Sequence, residues 1–388
     1  MFKSGFVVSI IFYEFGRTSM LDIFIRRNAD RRSVFSSVIF RGGSAFLVSS
    51  FWIFSQAGPA SSAQDASCTT TDTNNALVEV CTGEPGYVYV WPSINHDSIT
   101  VTVKDLSGDS LTGHDAFKIR SAPTDEGTNA ADLTLDFNTD QAQTPFTVTV
   151  AEYLAFELYS HGQFGESPSE NKGGGQRRGH TGGDGGKGGD LSIIISDVTA
   201  SVPAKAIWAY TWGGDGGNGA EGWSTTGTVG SANGYGGDGG SGGAGGDITL
   251  DLTNFAATRN SDEYEGEMLD IVSEGGNGGD GGAAKATSLY ETYGGDGGNG
   301  GDGGDIQITV SGYFDIEPNH GSVDAIFISS NGGDGGDGGK GYASYVAHGG
   351  DAGRGGDGGD VVFEAEEGAT IMASVNEATP IIIQSIAG

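Results

Sequence analysis

Short stretches of this chain alternate apolar and polar residues. In 306–311, Ile306, Ile308 and Val310 alternate with Gln307, Thr309 and Ser311, a period of two that turns one face of a strand inward. The same pattern predicts strands over 98–103, 116–121, 132–137, 146–150 and 155–160, separated by turn sequences such as SGDSLTG and APTDEGTN. After residue 160 two kinds of strand alternate. One opens on an aspartate, at 190–196, 247–253, 305–311 and 360–366; the other covers 206–211, 269–274, 325–330 and 380–385 and ends on Thr211, Glu274, Ser330 and Ser385. The opening aspartates, Asp190, Asp247, Asp305 and Asp360, lie 57, 58 and 55 residues apart. A fixed period of this length is the signature of a solenoid, in which each coil covers the apolar face of the one before it. No long amphipathic helix is predicted after residue 64.

Glycine runs in strict triplets fill the space between the strands. Return tracks such as 293–305, YGGDGGNGGDGGD, lead into the aspartate strands, and outbound tracks at 213–219, 275–282 and 332–341 leave the second kind. Gly-Gly-X triplets suit the polyproline-II helix, with three residues per turn and a rise of about 3.1 Å. At that period every X points to one side, as with Asp296, Asn299, Asp302 and Asp305, or with Asp334 and Asp337. The other two sides carry only glycine, so a second backbone can approach. The expected fold is therefore all-β, a right-handed parallel β-helix or solenoid with Gly-rich polyglycine-II hairpin arms extruded from each late turn. A flexible Gly linker is the alternative, but a linker need not hold a polar residue at every third place. The aspartate that ends each return track is expected to accept backbone N–H bonds at the strand entry.

Residues 1–63 read differently. They hold seven Lys/Arg against three Asp/Glu, and Arg41 precedes the apolar run 45–58 and the small-residue stretch PASSA, with Ser61 and Ala63 at the −3 and −1 places. That order predicts an export signal, far from Met1 unless translation starts later, for example at Met20. The run is shorter than the ~20 residues of a membrane span, and the apolar stretch 6–15 has no role in this reading. Three regions follow: a signal or targeting segment at 1–63, early solenoid coils at 64–160, and a Gly-rich repeat solenoid at 161–388 with a period of about 57. Cys68 and Cys81 are the two cysteines, and in an exported chain they are expected to form a disulfide that staples the first coil.

Composition narrows the function. The net charge is −32 over 388 residues, and 72 are glycine. Removing 1–63 leaves 12 basic against 48 acidic side chains. Such a surface repels nucleic acid and anionic membranes, and no membrane insertion of the repeat region is expected. At 36% hydrophobic residues the chain has little for a thick core, which suits a solenoid.

A calcium-binding β-roll needs GGxGxDxUx with an apolar U; 300–308 reads GGDGGDIQI, with Gln307 at U, and only Val362 among the equivalents fits. Weak cation binding, Ca²⁺ included, stays open for the rows of Asp296, Asp302, Asp305, Asp334 and Asp337, beside the plainer reading of a solvated acidic edge. Residues 108–111 spell GDSL, a tetrapeptide found around one esterase nucleophile, yet none of the six His has Asp three places before it. No cofactor and no enzyme activity is expected. Aromatics near arm bases and tips, Trp212, Trp223, Tyr235, Tyr290, Tyr342 and Tyr345, are candidates for contact with a glycan or protein, or for packing over the glycine bundle.

The run AIFISSNGGDGGDGG, the return track GGDGGD and the strand DIQITVSG together resemble the passenger repeats of Gly-rich bacterial autotransporters. IIIQSIA at 381–387 and VEVCTG at 78–83 add to the likeness. The resemblance covers roughly 64–388 and implies a β-helix displayed on a Gram-negative outer surface, as an adhesin or structural cell-surface protein. It also implies an outer-membrane translocator barrel, a long series of ~10-residue alternating strands. No such series follows here, so the reading is of a truncated passenger or a split gene. The competing expectation is a free secreted polyglycine-bundle protein that binds ice or a polysaccharide lattice; a solenoid-borne esterase comes third.

Overall fold

In the computed structural model the described residues are the strands at 6–15, 18–27 and 34–40, by backbone alone, and 68–388 without 74–75, 84–87, 91–95, 107–109, 114–116, 139–144, 152–153, 170–175, 225–232, 262–263, 265, 287–290, 319–324 and 374–379. Of the expected signal or targeting segment at 1–63, the apolar run 45–58 and the PASSA stretch lie outside them, as does Tyr290. The chain forms two compact units, Met1–Ser55 and Gln56–Gly388. In the first, Phe6–Phe15, Thr18–Arg27 and Val34–Phe40 pair antiparallel in chain order. The stretch 6–15, without a role in the sequence reading, is thus a strand.

The second unit is all-β, with no helix among the described residues, and its strands pair mostly in parallel. One sheet runs, in order, through Val361–Ala365, Ile306–Glu317, Ile248–Arg259, Leu191–Val202, Asp132–Asn138, Ser98–Leu106, Ala76–Gly83 and Cys68–Asp72. The other runs through Ile381–Ile386, Ile326–Asn331, Leu269–Glu274, Lys205–Trp212, Leu154–His161, Phe117–Ser121 and Val88–Val90. Each strand pairs with its counterpart one coil along, as the alternation predicted. Leu133, Leu191, Ile248 and Ile306 align in one register row, and all are buried. Such rows from both sheets make one core. Phe117, Phe137, Phe146 and Phe156 fill its early part, with Phe117 and Phe156 stacked and Phe137 edge-on to both.

The first-sheet strands are longer than the periodicity indicated, 12 residues in three successive coils. Each turns a corner at one residue with positive φ: Asp197 (55°), Asn254 (49°) and Gly312 (66°). Asx residues and glycine reach this left-handed region most readily. Beyond the corner the strand continues on a third side, where Val198–Ser201 pair with Phe146–Thr149. The corner residues join across coils: Asn254 Nδ2 donates to Asp197 Oδ1 at 2.7 Å, and the Tyr313 N–H donates to Asn254 Oδ1 at 3.1 Å. A Cβ on Gly312 would lie 2.2 Å from Asn254 Oδ1, so the third coil takes glycine.

The first coil is capped as expected. Cys68–Asp72 folds back antiparallel on Ala76–Gly83, and a disulfide joins the directly opposed Cys68 and Cys81. That hairpin covers a sheet edge that would otherwise invite strand addition.

Candidate functional site: the glycine arms and their tips

The glycine legs run outside the strand ladders, and each residue of a triplet finds a different hydrogen-bond partner. In the leg 294–304 the first glycine donates to the X carbonyl of the next return leg, as Gly297 N–H to Asp351 O at 2.8 Å. The second donates to the neighbouring outbound leg, as Gly298 N–H to Gly279 O at 2.8 Å. The N–H of X bonds to a side chain: Asp296 N–H to Asp238 Oδ1 at 3.1 Å. The second-phase bonds thread the whole array, from Gly353 through Gly336, Gly298, Gly279, Gly240 and Gly217 to Gly183.

This pattern explains why X is so often Asp or Asn. Its Oδ1 accepts the N–H of the X residue one coil later, an amide that the glycine lattice leaves over. Asp132, Asp190, Asp247, Asp305 and Asp360 form one such ladder, with each link at 2.8–3.0 Å. Asp302 accepts from Asp357, Asn277 from Asp334 and Asp280 from Asp337. The strand-opening aspartates therefore do accept backbone N–H, but from the following coil rather than from their own turn. As for cations, among the described residues no three leg aspartates bring carboxylate oxygens within 4.8 Å of one another. The one group that does so is Cys68, Glu79 and Cys81, whose sulfurs are bonded together. Burial pushes the Glu79 carboxyl above its ordinary pKa.

A second ladder joins strands to legs. Ser160, Thr211, Ser273 and Ser330 are fully buried. Each hydroxyl accepts a glycine N–H at 2.8–2.9 Å, from Gly189, Gly246, Gly304 and Gly359. Three of them donate back to a glycine carbonyl one coil earlier: Thr211 to Gly189, Ser273 to Gly246 and Ser330 to Gly304. By strand ends alone, Glu274 aligns with Thr211 and Ser330. The structure aligns Ser273 with them, and Glu274 faces outward, where it accepts the Tyr210 hydroxyl. Burial and that carboxylate push the Tyr210 phenol well above its ordinary pKa. A hydroxyl two residues before each outbound leg was the signal to find.

The arm tips form two small parallel ladders. One stacks Gly222–Ser224, Ala284–Ala286 and Gly341–Tyr342; the other stacks Gly234–Tyr235, Glu291–Tyr293 and Val346–His348. On the first, Lys285 Nζ sits 5.0 Å from the Trp223 ring and 5.9 Å from that of Tyr342, and it pairs with Glu221. On the second, Tyr293 stacks between Tyr235 at 5.3 Å and His348 at 4.6 Å. Tyr342 and Tyr345 are exposed. Trp212 is not at a tip: it lies at an arm root, stacked 4.6 Å from His161. Tips thus gather Trp223, Tyr235, Tyr342 and Tyr345, whereas Trp212 packs over the coil. Ser110 of the GDSL tetrapeptide starts a strand, Ser110–Gly113, that pairs with Phe146–Val150; 107–109 lie outside the described residues.

No family model, no curated protein and no solved structure matches the chain.

Proposed function

We propose that the chain is an exported, surface-displayed, non-enzymatic passenger of the Gly-rich autotransporter kind, acting as an adhesin through its arm tips. Its coils form a right-handed parallel β-helix, the hand that parallel crossovers nearly always take. Its legs are polyglycine-II helices, a reading supported by three distinct hydrogen-bond directions per triplet. The observation that carries the proposal is the pair of side-chain columns at the tips, Trp223–Lys285–Tyr342 and Tyr235–Tyr293–His348, held in register by a rigid glycine lattice. Repeated aromatic and cationic groups at coil spacing suit an extended partner, a glycan or a protein surface. The disulfide supports an oxidising compartment.

The test is a glycan and matrix-protein array probed with the purified chain and with a Tyr342→Ala/Tyr345→Ala variant. Retention that the variant loses is expected. No retention, or equal retention by both, sinks the tip reading. The regular legs also favour a second reading, adsorption to ice or a crystalline polysaccharide. There, binding to crystalline faces survives the tip substitutions.

A further inference from the structure

The cations of the glycine region gather at the arm tips. The four tip segments 170–180, 220–235, 283–293 and 340–348 hold Lys172, Arg177, Arg178, Lys285 and Lys340, five of the nine Lys/Arg in 161–388. They hold only three of its 33 Asp/Glu, namely Glu170, Glu221 and Glu291. Strongly acidic legs thus end in tips of the opposite sign.

The two tip ladders line these groups up with rings. In the first, backbone register sets Arg177 opposite Trp223, then Lys285, then Tyr342. In the second, Arg178 is followed by Tyr235, Tyr293 and His348. Both rows start on an arginine at the first arm. Arg178 and His348 stand three strand spacings apart, about 14 Å, which suits a polymer better than a single small molecule.

Some of these groups are engaged and others are free to bind. Lys285 lies between two rings and pairs with Glu221. The Arg178 side chain is 70% exposed, and its nearest carboxylate, that of Asp238, is 3.8 Å away. An exposed pair at that distance holds an arginine only weakly. Lys340 and His348 are exposed as well. Tyr342 and Tyr345, 51% and 69% exposed, are the exposed large hydrophobic side chains among the described tip residues. The centre of a protein interface is a buried apolar patch, and two separate tyrosines do not supply one. What the tips offer is a guanidinium fork that takes an oxyanion through two parallel N–H bonds, an ammonium group, and ring surface with a polar edge.

We propose that the tips take an anionic polysaccharide, with its carboxylate or sulfate groups on Arg178 and Lys340 and its sugar rings against Tyr342 and Tyr345. This rests on the reading of the tips as the binding end of the molecule, and it names the class of ligand they hold. The leg aspartates sharpen the choice of place. Their charge repels an anionic chain along the sides of the arms, and the tips attract it.

The test keeps one sugar backbone and changes its charge. Dextran, carboxymethyl-dextran and dextran sulfate are immobilised, and the full chain is passed over each. The chain is expected to bind one or both charged polymers at least about tenfold more tightly than dextran, and added salt should weaken that binding. Which charged polymer wins tells whether carboxylate or sulfate is the recognised group. Arg178→Glu/Lys340→Glu, at two exposed positions, should abolish the preference with the melting temperature unchanged, and Arg178→Gln/Lys340→Gln should remove part of it. Equal binding to all three polymers overturns the proposal, as does a preference that the glutamate variant keeps. Polyglutamate bound as tightly as carboxymethyl-dextran reduces the tips to bare charge and also overturns it. Failure of the tip reading itself looks different: Tyr342→Ala/Tyr345→Ala then leaves binding to neutral and charged glycans alike unchanged. Neutral glycans retained by the natural chain and the glutamate variant, but lost by the tyrosine variant, keep the tips as the binding end and overturn the anionic ligand.

Discussion

The strand coils and the glycine arms share one repeat yet are held by opposite means. In the coils, side chains carry the structure: rows such as Ile308 and Ile328 are buried completely, and the backbone only sets their spacing. In the arms the backbone carries it, and in the later legs glycine fills almost every place other than X. Removing a coil side chain leaves a space that neighbours can partly fill. Adding a methyl to an arm places it against carbonyl oxygens that belong to neighbouring legs and have nowhere to go. The arms should therefore be the more brittle region, although almost nothing apolar is buried in them.

The sharpest break is Gly298→Ala. Its Cβ would lie 1.9 Å from Gly240 O, so the legs on either side must part. Loss exceeding about 4 kcal/mol, or outright melting of the arms, is expected. Amide exchange should show the legs unprotected while Ala76–Gly83 to Leu154–His161 stay protected. By contrast Phe314→Ala, in the coil core, should cost about 3–5 kcal/mol with the arms intact. If both substitutions loosen the whole chain alike, the two regions are not separable and the comparison fails. At the seam between them, Ser273→Ala strips the acceptor from Gly304 N–H and the donor from Gly246 O, both buried. About 2–4 kcal/mol should be lost in thermal melts, since each buried group left unmade costs about 1–3 kcal/mol. Ser273→Thr should be close to neutral, because Thr211 fills the same place one coil earlier.

The period-two alternation made the parallel strands legible, and the triplet phase made the arms legible, because both patterns are local consequences of backbone geometry. The strand after the corner was not legible. Asp197, Asn254 and Gly312 differ in type, and each breaks the phase of the alternation, which resumes only at Val198, Phe255 and Phe314. Of the hydroxyl ladder only the places of Thr211 and Ser330, at strand ends, are visible in the sequence, and Glu274 ends the strand that holds Ser273. What the Asp and Asn residues do could not be read from one repeat, since their acceptor role exists only between coils. The same holds for the stacking of Trp212: its place at an arm base is legible from the track that follows it, but its partner, His161, belongs to the preceding coil.

A milder effect concerns the capped end. Reducing Cys68–Cys81, whose partners lie 13 residues apart, should lower stability by about 3 kcal/mol and free Cys68–Asp72 to exchange first, with the arms unaffected. Exchange that begins in the arms instead would mean that the cap stabilises the array directly.

The smallest effect is the most discriminating for the acidic ladders. Asp247 Oδ1 accepts the Asp305 N–H at 2.9 Å, and an asparagine offers the same oxygen without the charge. Asp247→Asn should therefore melt within about 0.5 kcal/mol of the natural chain, and Asp247→Ala should lose about 0.5–1.5 kcal/mol, the net worth of one hydrogen bond. The ladder already contains this experiment, since Asn277 and Asn299 fill X positions and accept as Asp280 and Asp302 do. If the rows instead held Ca²⁺, added calcium would raise the melting temperature of the natural chain and leave the Asp247→Asn variant behind. Equal response of the two assigns the aspartates to backbone capping, with their charge left to keep a surface of glycine legs soluble.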